Sequence, residues 1–451
     1  MPSPAREFFS SRTGFIMAAT GSAVGLGNIW GFPTQAANNG GAAFVLAYLV
    51  FTLALAYPAL MAELVIGRHT RSSMVNALPA LSTQQRWRSF GRFAGICGIL
   101  VSSLILGFYA IVAGWMVANI LPLPAFALGL PTVASWTGEF GQMRNLLFCL
   151  IFSGLTFAVI ARGVHNGIER WSNRLMPTLL ILITVLTLYV FTQPGATEGL
   201  EVYLLPDFGA LARPQLLLNA MGQAFFSLSL GVGTMLIYGS YLRSEENLPV
   251  TGALVAGADT GVALLAGLFI IPAIHVAAGQ GVVVHDETGA LVAGPDLILQ
   301  TLPSLFQSLG IAGILVSVAF FCLMVIAALT SSISMLEVPV AYLIERWRIP
   351  RQKAALLASG TIFMVSTVII LNFDRLFGLV IDITTKYSQP VLGGVLCVFA
   401  GWVLHRNRLL KEIQSGYPSA ARSWFWKIWP SYIRFVCPAL IAALVINSLV
   451  I

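Results

Sequence analysis

Charge is the scarcest commodity in this sequence. Of 451 residues only 25 are Lys or Arg and 18 are Asp or Glu, 10% together. A soluble domain carries about 25%. With 57% hydrophobic residues, the deficit excludes a soluble domain and leaves a polytopic membrane protein. Cysteine is also rare: Cys97, Cys149, Cys322, Cys397 and Cys437 all fall in apolar segments without metal-ligand spacing. That excludes a disulfide framework and makes them small packing residues. Only five histidines occur, and there is no His-rich metal cluster, nucleophile triad or phosphate loop. An enzyme reading and an organic cofactor therefore lack support. The first fourteen residues are polar and mixed, unlike a signal peptide, so none is expected. Low-complexity tracts are missing too.

What is present is a series of apolar runs. A helix needs about 20 apolar residues to span a bilayer. Runs of that kind lie at 14–37, 41–66, 93–121, 145–161, 175–192, 216–241, 251–278, 311–343, 354–371, 376–404 and 430–450, about eleven spans. The net charge of +7 is not a nucleic-acid footprint, because it is unevenly distributed. Arg68, Arg71, Arg86, Arg88 and Arg92 follow the second span, and Arg162, Arg170 and Arg174 follow the fourth. Arg346, Arg348, Arg351 and Lys353 follow the eighth. Arg406, Arg408, Lys411, Arg422 and Lys427 follow the tenth. The alternate loops hold Arg144, Arg213 and Arg375 among several acids. Basic loops stay cytoplasmic, so the N-terminus is expected inside and the C-terminus outside, in a bacterial-type inner membrane.

Two of the runs are broken in the middle. The first contains Gly21-Ser22-Ala23-Val24-Gly25-Leu26-Gly27-Asn28 and the sixth contains Ser227-Leu228-Ser229-Leu230-Gly231-Val232-Gly233. Glycine costs about 1 kcal/mol in a helix interior relative to alanine. Irregular backbone at membrane depth survives only where it is buried in protein or lines a cavity. A broken helix there offers carbonyls to a cation and N–H groups to an anion, and paired breaks in two halves mark a secondary transporter. The expected organisation is an N-terminal gate segment over 1–13, five-helix repeats over 14–200 and 201–404, and a loop with an eleventh helix over 405–451. Five spans per repeat is odd, so the second repeat is inverted. The loop at 279–308, with Pro295 and an amphipathic stretch over 297–309, is a candidate lid on the outer side.

The first break, continued through Ile29-Trp30 and Phe32-Pro33, resembles the first helix of the neurotransmitter:sodium symporter family. So do Asn39-Gly40-Gly41, Gln223-Ala224-Phe225-Phe226-Ser227-Leu228-Ser229 and Leu329-Thr330-Ser331-Ser332. The resemblance covers the first ten spans in order. It implies an all-α LeuT-type fold with a 5+5 inverted repeat and discontinuous helices 1 and 6. It also implies uptake of amino acids or amines driven by sodium, with two sodium ions and no organic cofactor.

Carried over by position, one sodium site would use carbonyls of Gly21, Val24 and Ala327 with the hydroxyls of Thr330 and Ser331. A hard cation prefers such oxygen ligands, although a Thr-Ser-Ser run also serves as small-residue helix packing. The other site would use the Ala23 carbonyl, Asn28, Ser227 and Asp259. Relatives that take amino acids carry an amide at the Asp259 position, so the acid is a departure. An intramembrane Asp costs roughly 2.5–3.5 kcal/mol on insertion scales, and sodium or a proton would compensate it. Tyr48, Gln223 and Ser227 match the surroundings of the family's chloride site; Asp259 would supply the negative charge instead, giving chloride independence and room for proton antiport.

For the substrate, N–H groups near Leu26 and Gly27 and the hydroxyl of Tyr109 would meet a carboxylate. The ammonium would see the carbonyls of Ala23 and Phe226, with Ser229 nearby. Ile105, Phe226, Val232 and Met335, with Ser331 at the edge, would hold the side chain. Amine transporters of the family place an Asp where this chain has Gly25, which favours amino acids. As gates, Arg6 would pair with Glu345, braced by Tyr241 and Ser240, unless these are ordinary solvated loop charges. Outside, Asp382 is present but the family's arginine is replaced by Gly31; Lys386 lies four residues after Asp382. Phe226 and Tyr109 could form an aromatic lid. The expectation is a sodium-coupled importer of hydrophobic L-amino acids, a monomer or weak oligomer whose partners are the bilayer and a small substrate. The rivals are a proton-coupled or uncoupled transporter on the same fold, and a non-transporting amino-acid sensor, which the lack of a signalling domain disfavours.

Overall fold

The structure, a computed structural model, describes residues 7–284 and 297–450, and no strand occurs among them. The first span is two pieces. Helix α1, Arg12–Ala23, starts at Ser11, whose hydroxyl accepts the Gly14 N–H at 2.9 Å. It stops where Val24 turns extended (φ −68°, ψ 106°). A π-helical turn over Gly27–Gly31 and helix α2, Phe32–Asn38, continue at 57° to α1. Then come α3 (Ala42–Thr70), α4 (Gln85–Ala118), α5 (Gln142–Ile160) and α6 (Arg170–Phe191).

The sixth span is likewise two helices, α7 (Pro214–Ser227) and α8 (Thr234–Ser240). Between them Ser229, Gly231 and Gly233 take φ of 51°, 86° and 80°. Three left-handed residues at alternate positions cannot propagate a right-handed helix. Gly231 has a second reason to be glycine, since a Cβ there would collide with the Gln389 carbonyl. The chain proceeds through α9 (Leu248–Gly279), α10 (Gly310–Trp347), α11 (Arg351–Leu371) and α12 (Phe373–Val403). It bends by 100° into the short α13 (Arg406–Gln414) and ends in α14 (Trp424–Val450).

Among the described residues eight helices are long and apolar enough to cross a bilayer, or ten if each bent pair counts as one span. The remaining expected span is α7 with α8, whose halves are each too short to register alone. Helix α1 packs on α6, α9 and α10, and α3 packs on α8. The last contact is backbone on backbone. A Cβ on Gly67 would strike the Leu236 carbonyl, and one on Gly239 would come 2.7 Å from that of Leu64. Small residues allow this approach where no hydrophobic effect drives helices together.

The basic loops gather at one end. Glu7 accepts the Val164 N–H and lies 3.6 Å from Arg351. Buried Arg68, at the end of α3, reaches Glu412 of α13 at 2.6 Å and the Glu246 carbonyl at 2.6 Å. The candidate lid is met in part. Residues 297–308 do form a helical, amphipathic piece, burying Leu297, Ile298, Leu302, Leu305 and Phe306 and packing on α9 and α10. None of them lines the central cavity or the outer vestibule described below. Pro295 lies outside the described residues.

Candidate functional site

The unwound turn after α1 leaves carbonyls that no helix partner takes, and α10 brings hydroxyls to them. Ser331 Oγ donates to the Val24 carbonyl at 3.1 Å and stands 3.5 Å from that of Gly21. Thr330 Oγ1 donates to the Ala327 carbonyl at 3.0 Å, and a Cβ on Gly21 would lie 3.1 Å from Thr330 Cβ. All five residues expected at one sodium site are thus adjacent, with Thr330 and Ser331 2% exposed. The oxygens are neutral and closely spaced, a donor set suited to a monovalent hard cation.

On the other side of the break lies a charged cluster. Asn28 Nδ2 donates to Ser227 Oγ and to Asp259 Oδ1, both at 2.8 Å, and Ser227 Oγ donates to Asp259 Oδ2 at 2.7 Å. The Asn28 side-chain oxygen accepts the Gly25 N–H at 3.1 Å, and the Tyr48 hydroxyl reaches Ser227 at 3.3 Å. Asp259 is fully buried, and among the described residues no Lys or Arg pairs with it. A buried carboxylate held only by neutral donors needs a cation or a proton. Gln223, expected in the same group, turns elsewhere: its Nε2 donates to the Gly27 carbonyl at 3.0 Å.

Between the two clusters opens a cavity of about 440 Å³. All ten residues expected to meet a substrate line it. Leu26 N–H points to the Tyr109 hydroxyl at 3.4 Å, and Ser229 Oγ donates to the Ser22 carbonyl at 3.3 Å. A Cβ on Gly25 would sit 2.6 Å from Ser331 Oγ and 3.0 Å from the Tyr109 hydroxyl. Phe108, Val112, Phe377 and Ile381 complete the apolar wall and were not foreseen. The signal for two of them was present: Ile105, Phe108, Tyr109 and Val112 follow the spacing of one helix face. Among the described residues, no Asp, Glu, Lys, Arg or His lines the cavity.

A model of the sodium:neurotransmitter symporter family matches residues 6–131 and 126–451. The chain belongs to that family. It is 34% identical over 97% of its length to an uncharacterised sodium-dependent transporter of Bacillus subtilis, with 97% of that protein covered. It is 32% identical to another from Haemophilus influenzae, with 98% of each covered. A crystal structure of MhsT in complex with L-phenylalanine superposes with a TM-score of 0.84 at 34% identity, over 98% of this chain and all of that one. The LeuT-type fold and a sodium-dependent symporter follow.

In this symporter the end carrying the basic loops is closed. Phe9 is buried edge-on against Phe15, Tyr238 and Tyr241, with centroids 5.4, 5.7 and 6.3 Å away, and its N–H bonds the Tyr241 carbonyl at 3.2 Å. Ser10 N–H donates to Glu169 at 2.9 Å. The Tyr241 hydroxyl donates to buried Glu337, which Arg351 grips from the start of α11. Of the expected gate, Arg6 lies outside the described residues, the Tyr241 hydroxyl donates to Glu337, and Ser240 Oγ donates to the Ile237 carbonyl at 2.5 Å. Glu345 accepts the Ser73 N–H at 2.8 Å and Asn76 Nδ2 at 2.8 Å, bracing the segment that follows α3. Glu337 and Arg351 were missed, as was Glu63 of α3, fully buried, which accepts the Gly231 N–H of the second break at 2.7 Å. Acids inside apolar spans default to function, and that rule would have flagged both.

The opposite end opens into a vestibule of about 490 Å³ that shares Phe226, Gln389 and Thr385 with the cavity. Asp382 and Lys386 both line it, but among the described residues no ion pair joins them. The helix is π-wound over Asp382–Ser388, and Asp382 and Lys386 still face the vestibule side by side. Gly31 faces Gln223, whose amide would lie 3.7 Å from a Cβ. Phe226 is 39% exposed, and no ring contact joins it to Tyr109 among the described residues, so the aromatic lid is open here.

Proposed function

We propose that this symporter imports hydrophobic L-amino acids, aliphatic or aromatic, with two sodium ions and without chloride. The observation that carries the reading is the uncharged cavity. An amine without its own carboxylate would need an acid to balance it; the nearby acid, Asp259, sits behind Asn28 and Ser227 with both oxygens bonded, and Gly25 offers none, a Cβ there already lying 2.6 Å from Ser331 Oγ. A zwitterion brings its own carboxylate. The N–H groups of Leu26 and Gly27 and the Tyr109 hydroxyl suit that carboxylate, and the carbonyls of Ala23 and Phe226 suit the ammonium. The wall from Ile105, Phe108, Val112, Val232 and Met335 suits an apolar side chain, and the L-phenylalanine bound to MhsT has one.

Gly21, Val24, Ala327, Thr330 and Ser331 would hold one sodium. Ala23, Asn28, Ser227 and Asp259 would hold the other, with the Asp259 carboxylate supplying the fixed charge that chloride gives elsewhere in the family. Sodium at both places would steady the broken first helix, and the substrate carboxylate would complete the Asp259 site. Transport would then proceed by rocking of a bundle formed by the first, second, sixth and seventh spans. The N-terminal segment, with Arg6 toward Glu345, would seal the inside, and Asp382 would serve the outer gate. Residues 14–200 and 201–404 would be the two repeats, with the N-terminus cytoplasmic, because the loops gathered at the closed end are the basic ones.

The test is binding of labelled Leu, Trp, Gly and serotonin to purified protein in sodium or potassium, with and without chloride. Sodium-dependent, chloride-indifferent binding of Leu or Trp is expected. Binding of serotonin, or of glycine alone, would reject the substrate assignment.

A further inference from the structure

Helix α14 carries an unusual stripe. Trp424, Lys427, Ser431 and Arg434 recur at helical spacing along one face, and Lys427 and Arg434 are exposed. Lys427 Nζ lies 5.0 Å above the Trp424 ring. The Arg434 guanidinium lies 4.0 Å above the Trp402 ring and 5.3 Å from that of Phe435. Trp402 is fixed there by its indole N–H, which donates to the Arg434 carbonyl at 2.8 Å. Gly401 lets the two backbones close, since a Cβ on it would sit 2.8 Å from Arg434 Cα. Trp402 and Phe435 are themselves about half exposed, 51% and 56%.

Neither cation has a carboxylate partner among the described residues. The acid of adjoining α13, Glu412, is taken by Arg68 and His69. Arg434 stands ten residues inside a membrane helix, about 15 Å from Trp424 along the axis. An unpaired, lipid-facing arginine at that position is costly. Side chains of a helix lean toward its N-terminus, which here is the end beside α13, so both cations direct their charge toward that interface. Exposed tryptophans are at home at headgroup level, and stacking on an indole holds a guanidinium in place while leaving its N–H donors free.

We propose that Lys427, Arg434 and Trp402 form a binding site for the phosphate of an anionic phospholipid in the leaflet on the α13 side. The lipid charge offsets two cations that the protein leaves unpaired, and its acyl chains lie along the apolar face around Ile428 and Phe435.

Native mass spectrometry of the full-length, delipidated protein tests this, titrating phosphatidylglycerol against phosphatidylcholine. Wild type should hold phosphatidylglycerol far more tightly. Lys427→Gln with Arg434→Gln should weaken it by about thirtyfold, at roughly fivefold per cation. Arg408→Gln, on α13, should change nothing. Lys427→Gln alone alters an exposed residue and should still cost about fivefold, which keeps the test decisive if the double variant does not fold. Equal phosphatidylglycerol binding by wild type and variants, or no preference over phosphatidylcholine, would overturn the site. Displacement of the lipid by millimolar inorganic phosphate would equally overturn it, because the site would then bind free anion.

Discussion

The two oxygen clusters flanking the first break are built on opposite plans. One is neutral: the Gly21, Val24 and Ala327 carbonyls with the Thr330 and Ser331 hydroxyls, each hydroxyl bonded to a carbonyl of the set. The other is centred on a buried carboxylate, Asp259, whose oxygens are each taken by a neutral donor. The neutral cluster satisfies itself through its own hydrogen bonds. The charged one does not, because two neutral hydrogen bonds cannot replace the solvation of a carboxylate. The charged cluster is therefore where a cation should matter most, and where its loss should couple to chloride or to protons.

Four substitutions break or sharpen this contrast, taken from the largest expected effect. Asp259→Asn should weaken sodium by about tenfold to a hundredfold, the 1.5–3 kcal/mol of a hydrogen bond to a charged group, or make binding require chloride. Sodium titrations of amino-acid binding with and without chloride would show it, and unchanged affinity with continued chloride indifference would remove Asp259 from both roles. Gly25→Ala should act between the clusters. Its Cβ would meet Ser331 Oγ at 2.6 Å, and overpacking typically costs about 1–3 kcal/mol. Substrate and sodium affinity should therefore fall together in equilibrium binding, whereas loss of one alone would mean that the turn moves independently of Ser331.

Ser331→Ala removes one neutral ligand and should raise the sodium requirement about threefold to tenfold, in line with a net 0.5–1.5 kcal/mol per hydrogen bond, with no chloride requirement. A chloride requirement in this variant would erase the distinction between the clusters. Smallest is Gly31→Arg, at the end of the π turn that carries Asn28. If Asp382 accepts the new arginine, the vestibule should close by up to about fivefold, as an ion pair worth at most about 1 kcal/mol allows. Slower thiol labelling of Asn219→Cys, which lines the vestibule, would report it. Unchanged labelling would mean that Asp382 is not a free partner for residue 31.

The parts of this site that were legible in the sequence are those the chain writes locally. The glycines of the two breaks, the adjacent Thr330 and Ser331, and the intramembrane Asp259 are visible as departures from an apolar helix, and the structure brings the clusters together around one cavity. The closed end was less legible because its bonds cross between distant elements. Arg351 follows the end of α10 yet turns back fourteen residues to Glu337, aided by the left-handed Arg348 (φ 51°). Phe9 enters a pocket made by Phe15 of α1, Tyr238 of α8 and Tyr241 just beyond it, which no spacing announces. At the open end the four-residue spacing of Asp382 and Lys386 placed both on the vestibule, but spacing alone did not reveal that no ion pair joins them among the described residues.

Uptake of labelled leucine and phenylalanine into proteoliposomes tests the central claim most directly. Wild type and Asp259→Asn would be compared in sodium or potassium, with chloride or gluconate. Sodium-driven, chloride-indifferent uptake by wild type, lost or made chloride-dependent in the variant, is the predicted result. A chloride requirement in wild type, or uptake that ignores sodium and follows pH, would contradict it.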